Sequence, residues 1–371
     1  MNIETLAIHA ENHPDPSTGA VTPPIHLSTT FARSIDGDYL GDFSYSRSGN
    51  PNRSSLERAL AALEGGEVAY TYSSGMAAIS AVLQTLKPGE HVIAPTDIYH
   101  GARQLLQRME RWGVKIDYID LYKLDILEAT LKSNTAIVFI ETPSNPLLKI
   151  TDIAGVVARA KPFGARVVVD NTWATPVLQR PLEMGADITV HSSSKYFGGH
   201  SDVLGGAVIL RDKEMYKDAF ASIQLDLGAV PSPFDCWLIR RGLMTLPLRV
   251  REQSKTAATI ASFLEVQPSI ERVFYPGLES HPGHEIAKKQ MQMYGAMLSI
   301  LVKGGEAAAQ KVIANVKLFT RATSLGAVES LIEHRYRSEG EDTLTPRNLV
   351  RISIGLEHPD DLMMDLEQAL R

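Results

Sequence analysis

At 371 residues the chain exceeds the size at which a single hydrophobic core stops growing, so two domains are expected. Its 44% hydrophobic and 22% charged residues are ordinary for a globular protein, and a net charge of −6 offers no basic footprint for nucleic acid or an anionic membrane. One cysteine, Cys236, excludes an internal disulfide and suits a reducing compartment. With no apolar run of about 18 residues, and no basic-then-apolar leader in MNIETLAIHAENHPD, a cytoplasmic protein is expected.

The first 50 residues are polar, rich in Gly and Pro, and poor in periodic segments, which predicts an arm held by a neighbouring subunit. From residue 54 helical and strand patterns alternate. SSLERALAALEGG has the helical period and closes on glycines suited to a C-terminal cap, and SSGMAAISAVLQTLKPG opens on serine and stops at Pro-Gly. HVIAP, KIDYIDL, AIVFIETP, ARVVVDN, ITVHS and GGAVILR read as short apolar strands, with helical GARQLLQRMERWG and DIAGVVARAKPFG among them. Such strands predict a parallel or mixed sheet in an α/β domain over 51–245. A long helical stretch from residue 233 follows, which Pro247 should interrupt or kink. Strands AMLSILVK and LVRISIGLE, with helical EAAAQKVIANV between them and DDLMMDLEQALR after, predict a smaller α+β domain over 246–371.

There is no GxGxxG after a strand, no GxxxxGK[ST] and no zinc-type spacing. His191 and His200 flank Lys195 in HSSSKYFGGHSD, and no metal role is expected of them. Taken alone, Lys195 reads as a solvated loop lysine and Asp170 as a turn or capping aspartate. Both, however, follow predicted strands, and open α/β sheets bind ligands beyond the carboxyl ends of their strands. In YSSGMAAIS, Ser73 and Ser74 precede the N–H groups of Gly75 and Met76 at a helix start, a ready anion site. Ser192 and Ser194 add hydroxyls beside the lysine. A phosphate cradle, an amine and a strand-end carboxylate together meet the requirements of pyridoxal 5'-phosphate.

Eight motifs in order then carry a resemblance: VTPPIHLSTTF, YSRSGNPNRSSLE, SSGMAAI, ETPSNPL, VVVDNTWATPVLQRPLEMGADITVHSSSKYFGGHSD, GAVPSPFDCWLIRRGLMTLPLR, SLGAVESLIEH and LVRISIGLE. The chain is similar to the pyridoxal-phosphate enzymes of cysteine and methionine metabolism, the trans-sulfuration family. The resemblance implies the fold type I, aspartate-aminotransferase-like architecture, with a small C-terminal α+β domain. It implies that Lys195 carries the cofactor and acts as base, and that Asp170 partners the pyridine nitrogen. Gly75, Met76, Ser192 and Ser194 match the phosphate cradle. Tyr99 matches the tyrosine that stacks on the ring and can move protons. Asn145 lies near cofactor and substrate. Arg351, with Ser324 beside it, matches the arginine that binds the substrate α-carboxylate. Tyr45 and Arg47 resemble the pair that reaches the neighbouring subunit's phosphate, so a homodimer at least, and a dimer of dimers by resemblance, is expected.

The implied activity is making or breaking a C–S bond at Cγ of a small amino-acid substrate, as a cystathionine γ-synthase or γ-lyase. Cystathionine β-lyase, methionine γ-lyase and O-acylhomoserine sulfhydrylase are the alternatives. A catalytically silent homologue would have lost the lysine, aspartate or arginine, and all three are present. Three departures stand out. Thr323 replaces a glutamate before SLGG, Ala327 replaces the second glycine of that pair, and RYRSEGEDTLTPRN follows LIEH where most members have PA.MTH. In that last segment Arg335 and Arg337 read either as distal-carboxylate ligands or as solvated loop arginines, the latter preferred. Trp173 and Trp237 read as packing residues.

Overall fold

The computed structural model describes residues 1–340 and 343–371. Glu341 and Asp342, in the divergent segment after LIEH, lie outside the described residues. Seven strands form the larger sheet: β1 Val68–Tyr72, β2 His91–Pro95, β3 Lys115–Ile119, β4 Thr135–Glu141, β5 Arg166–Asp170, β6 Ile188–Ser192 and β7 Gly206–Leu210. Their order is β1-β7-β6-β5-β4-β2-β3, and β7 alone runs against its neighbours. β5 is central, and Val167, Val168 and Val169 are almost wholly buried. Each such side chain contributes roughly 1.5–3 kcal/mol by leaving water.

The smaller sheet has order β10-β11-β12-β9-β8, from β8 Ile270–Phe274, β9 Met297–Val302, β10 Thr320–Arg321, β11 Leu331–His334 and β12 Leu349–Ser353. Between the sheets run two helices, Pro233–Leu243 and Leu246–Glu265. The first opens on a capping box between Ser232 and Asp235. The stretch expected to be one helix breaks at Met244–Thr245, and Pro247 sits in the first turn of the second helix, where its missing N–H costs nothing.

Four strands have no counterpart among the expected ones, and the shortest, β10, is two residues defined by their parallel pairing with Leu331 and Ile332. β1 is a half-apolar VAYTY squeezed between two helical patterns, and it becomes a strand by pairing along its length with β7. β8 and β11 each carry charge, IERVF and LIEH, which hides their period until the sheet partners are known.

The two sheets meet beside Lys195. Val328 N donates to Gly199 O at 3.0 Å, and Gln253 of the long helix donates to Ala327 O at 2.6 Å. Gly326 has φ +77°, and a Cβ there would lie 2.8 Å from Tyr196 N, so only glycine lets the SLGAV loop approach the lysine loop this closely.

Candidate active site

The parallel strands end on one rim. Register pairs Glu141 with Asp170 and Asp170 with Val190, so β4, β5 and β6 deliver Glu141, Asp170 and Ser192 side by side. They border a cleft of about 460 Å³ that also takes in Gly75, Met76, Tyr99, Asn145, Ser194, Lys195, Ser324 and Arg351.

One wall is a helix start. Ser74 caps the Gly75–Leu83 helix, its hydroxyl accepting from Ala77 N, which leaves the N–H groups of Gly75 and Met76 without intrahelical acceptors. A Cβ on Gly75 would stand 2.8 Å from Ser192 Cβ, so the helix start lies directly against the end of β6. Ser194 faces the same space, its hydroxyl accepting from Gly205 N at 2.9 Å. Asp170 takes Thr172 N at 3.0 Å on one oxygen, and burial pushes its carboxyl up from the ordinary value. The Tyr99 ring borders the cleft, while Tyr99 N donates to Glu141. Burial, and then the charge of Asp170, raise Glu141 well above the usual carboxylate range.

Across the cleft, Lys195 Nζ donates to Ser324 Oγ at 2.7 Å. Burial, reinforced by the charge of Arg351, lowers the Lys195 ammonium to about 8. Arg351 is buried, held through Nη1 by Asn145 Oδ1 at 3.0 Å and through Nη2 by Ser324 O at 3.2 Å. Its guanidinium lies 5.9 Å from the centroid of Trp173, which packs in the core as expected and also faces the cleft.

Behind Arg351 runs a chain of ion pairs. Glu333, the cross-strand partner of Arg351, takes both Arg351 Nη2 and Arg335 Nη1, the latter at 3.2 Å. Arg335 Nε in turn donates to Glu339 at 3.1 Å, and Glu339 accepts from Thr345 at 2.6 Å and from Thr343. The preferred reading of Arg335 as a solvated arginine is therefore corrected. The short helix Arg335–Glu339 folds it back, with only 5% of its side chain exposed, because a partner waits at either end. Arg337 is exposed. Thr323, where a glutamate was expected, donates to Glu333 at 2.9 Å, so β11 supplies the carboxylate at that spot.

A model of the Cys/Met metabolism PLP-dependent enzyme family matches residues 4–371. The chain belongs to that family. Cystathionine γ-synthase of Mycobacterium leprae is 47% identical over 99% of this chain and 96% of its own length. Cystathionine β-lyase of Lactococcus lactis is 43% identical over 100% and 99%. Among solved structures, metB from Corynebacterium glutamicum superposes with a TM-score of 0.97 at 43% identity, covering 100% of this chain and 98% of that one. CalE6 of Micromonospora echinospora, a methionine γ-lyase, gives 0.93 at 41% identity over 100% and 99%. These likenesses are at the level of the whole fold, mixed sheet included.

The residues present fit the family's cofactor, pyridoxal phosphate. Unpaired amides at a helix start suit its phosphate, a half-buried strand-end carboxylate suits its pyridine nitrogen, and a half-buried amine suits its aldehyde. Tyr45 and Arg47 are not brought to this cleft. Tyr45 is 45% exposed, and Arg47 donates to Leu225 O at 2.8 Å. His191 is occupied by a hydrogen bond between Nε2 and Glu64 and a ring stack on Phe197, and His200 by Gly198 O. Trp237 is tied through Nε1 to Pro23 O and stacks on Phe234. Glu141 and Glu333 were not singled out by sequence reasoning. The signal for the first was its place at the end of AIVFIE, one strand from Asp170.

Proposed function

We propose that the protein makes or breaks a C–S bond at Cγ of a homoserine-derived amino acid, as a cystathionine γ-synthase or γ-lyase. The observation that carries this reading is the half-buried amine of Lys195 between the strand-end carboxylate Asp170 and the Ser324–Arg351–Asn145 cluster. The 47% identity to the mycobacterial γ-synthase, against 43% to the lactococcal β-lyase, supports Cγ as the reacting position.

When bound, pyridoxal phosphate supplies an aldehyde that condenses with amines and a ring that accepts charge from a substrate carbon. Gly75 N, Met76 N, Ser192 and Ser194 would hold its phosphate, Asp170 would keep the proton on its ring nitrogen, and Tyr99 would cover its face. Arg351 grips the substrate α-carboxylate, with Asn145 and Ser324 orienting the guanidinium, and so sets which Cα bond faces the base. Lys195 Nζ, whose lowered pKa of about 8 leaves a useful fraction unprotonated, takes the Cα proton and, once it has handed that proton on and is neutral again, takes one from Cβ. Two deprotonations from the same side are what departure of a Cγ substituent requires. Tyr99 assists at the leaving group.

Tyr45 and Arg47 of the 1–50 arm would reach the phosphate in a neighbouring subunit, which makes the assembly a homodimer at least and a dimer of dimers by family likeness. A cytoplasmic setting accords with the single cysteine, Cys236, and with the described residues holding no helix long and apolar enough to cross a membrane.

The test is purified enzyme with cystathionine alone, products resolved by mass spectrometry. Cysteine, 2-oxobutyrate and ammonia make it a γ-lyase. Cystathionine left intact, but formed from O-acylhomoserine and cysteine, makes it a γ-synthase. Homocysteine with pyruvate overturns the Cγ assignment.

A further inference from the structure

The carboxylate-binding arginine already has a resident carboxylate. Glu333 faces Arg351 directly across β11 and β12, and both groups are buried, with side-chain exposures of 7% and 4%. An incoming α-carboxylate must therefore take the place of another one. In a buried setting a displaced, unpaired carboxylate is costly, and two carboxylates crowded on one guanidinium repel each other. Glu333 escapes both penalties because its pairing oxygen is shared. The same Oε1 reaches Arg335 Nη1 at 3.2 Å, while Oε2 takes Thr323 at 2.9 Å and Ser338 at 3.3 Å. Arg335 is itself braced from behind by Glu339, which Thr343 and Thr345 hold in place. Arg335, Ser338 and Glu339 all belong to the segment that departs from the family motif, and all three border the cleft.

We infer that Glu333 is the resident counter-ion of Arg351, exchanged for the substrate carboxylate, and that Arg335 is the positioning residue that keeps Glu333 compensated during the exchange. The inference rests on the reading of Arg351 as the α-carboxylate ligand. The divergent segment then sets how tightly a carboxylate is held at Arg351, independently of what the substrate carries at Cγ. Without Arg335, Glu333 would commit fully to Arg351 and compete with substrate.

The experiment titrates holoenzyme with glycine and with glycinamide, which differ in the carboxylate, following visible absorption to obtain each Kd. Arg335→Gln should weaken glycine by about tenfold or more, the worth of one charge-assisted contact, and leave glycinamide nearly unchanged. Arg335→Lys should keep most of the glycine affinity. Glu333→Gln alone should tighten glycine, a change of sign that a folding defect does not produce. Combined with Arg335→Gln, it should bind glycine about as tightly as Glu333→Gln alone, because Arg335 acts only through Glu333. Equal losses for glycine and glycinamide in Arg335→Gln, or weaker glycine binding in Glu333→Gln, overturn the exchange. Arg351→Ala separates the two levels. If it still prefers glycine to glycinamide, the carboxylate assignment of Arg351 itself fails.

Discussion

The two walls of the cleft are built by different means. On the larger-sheet side, Asp170 and Ser192 stand where they do because parallel strands end there, and the amides of Gly75 and Met76 because a helix begins there. On the smaller-sheet side, Arg351, Glu333 and Arg335 project from two adjacent antiparallel strands and a short helix, and ion pairs fix their positions. Backbone placement tolerates change in neighbouring side chains, whereas an ion-pair chain transmits a change at one member to the next. The first wall is suited to fixed chemistry. The second is where affinity is adjusted.

If that contrast holds, variants on the larger-sheet wall should act on kcat and those on the smaller-sheet wall on KM. The largest effect is expected from Lys195→Ala, a loss in kcat of about 10³-fold or more from removing the proton-transfer group, measured as turnover of cystathionine or of O-acylhomoserine with cysteine. A near-normal rate would break the comparison at its centre. Next, Asp170→Asn should lower kcat by about 100-fold with KM little changed, since an amide cannot stabilise charge developing on a cofactor ring. A change confined to KM would move Asp170 to the binding side.

Arg351→Lys, losing a two-pronged contact, should raise KM by roughly tenfold or more while sparing kcat. A kcat loss without a KM change would contradict its place on the affinity wall. The acidity of Lys195 sharpens the contrast further. Its amine is protonated below about 8, so capture of added pyridoxal phosphate by cofactor-free protein should speed up as pH rises towards 8 and level off above it. A flat rate between pH 6 and 9, with the slope expected there being about tenfold per unit below the pKa, would show that burial does not act on this amine. The smallest effect is expected from Thr323→Val, which removes one neutral donor to Glu333 and should change KM by only about fivefold, or ~1 kcal/mol.

The larger-sheet wall was legible in the chain and the smaller one only in part, for physical reasons. Asp170 and Lys195 follow short apolar runs whose strand character is local, and Ser74–Gly75 is a local helix-start signal. Arg351 meets Asn145 from 206 positions away and Glu333 through strand register, so nothing in the neighbourhood of either residue announces the contact. Arg335 misleads because RYRSEGEDTLTPRN has loop composition, while its partner four residues on, Glu339, turns the first five residues into a helix that buries the charge. β1 was missed because five residues between two helical patterns do not show a period of their own.

Ser324 accepts the Lys195 hydrogen bond from a backbone with φ +139°, a region that suits glycine and strains other residues by about 1–3 kcal/mol. Evolutionary pressure for a sturdier fold and pressure for catalysis therefore pull against each other at this position. A glycine here would raise the melting temperature while leaving the amine without its acceptor, so a screen that selects thermal resistance alone would drift away from a working enzyme at residue 324.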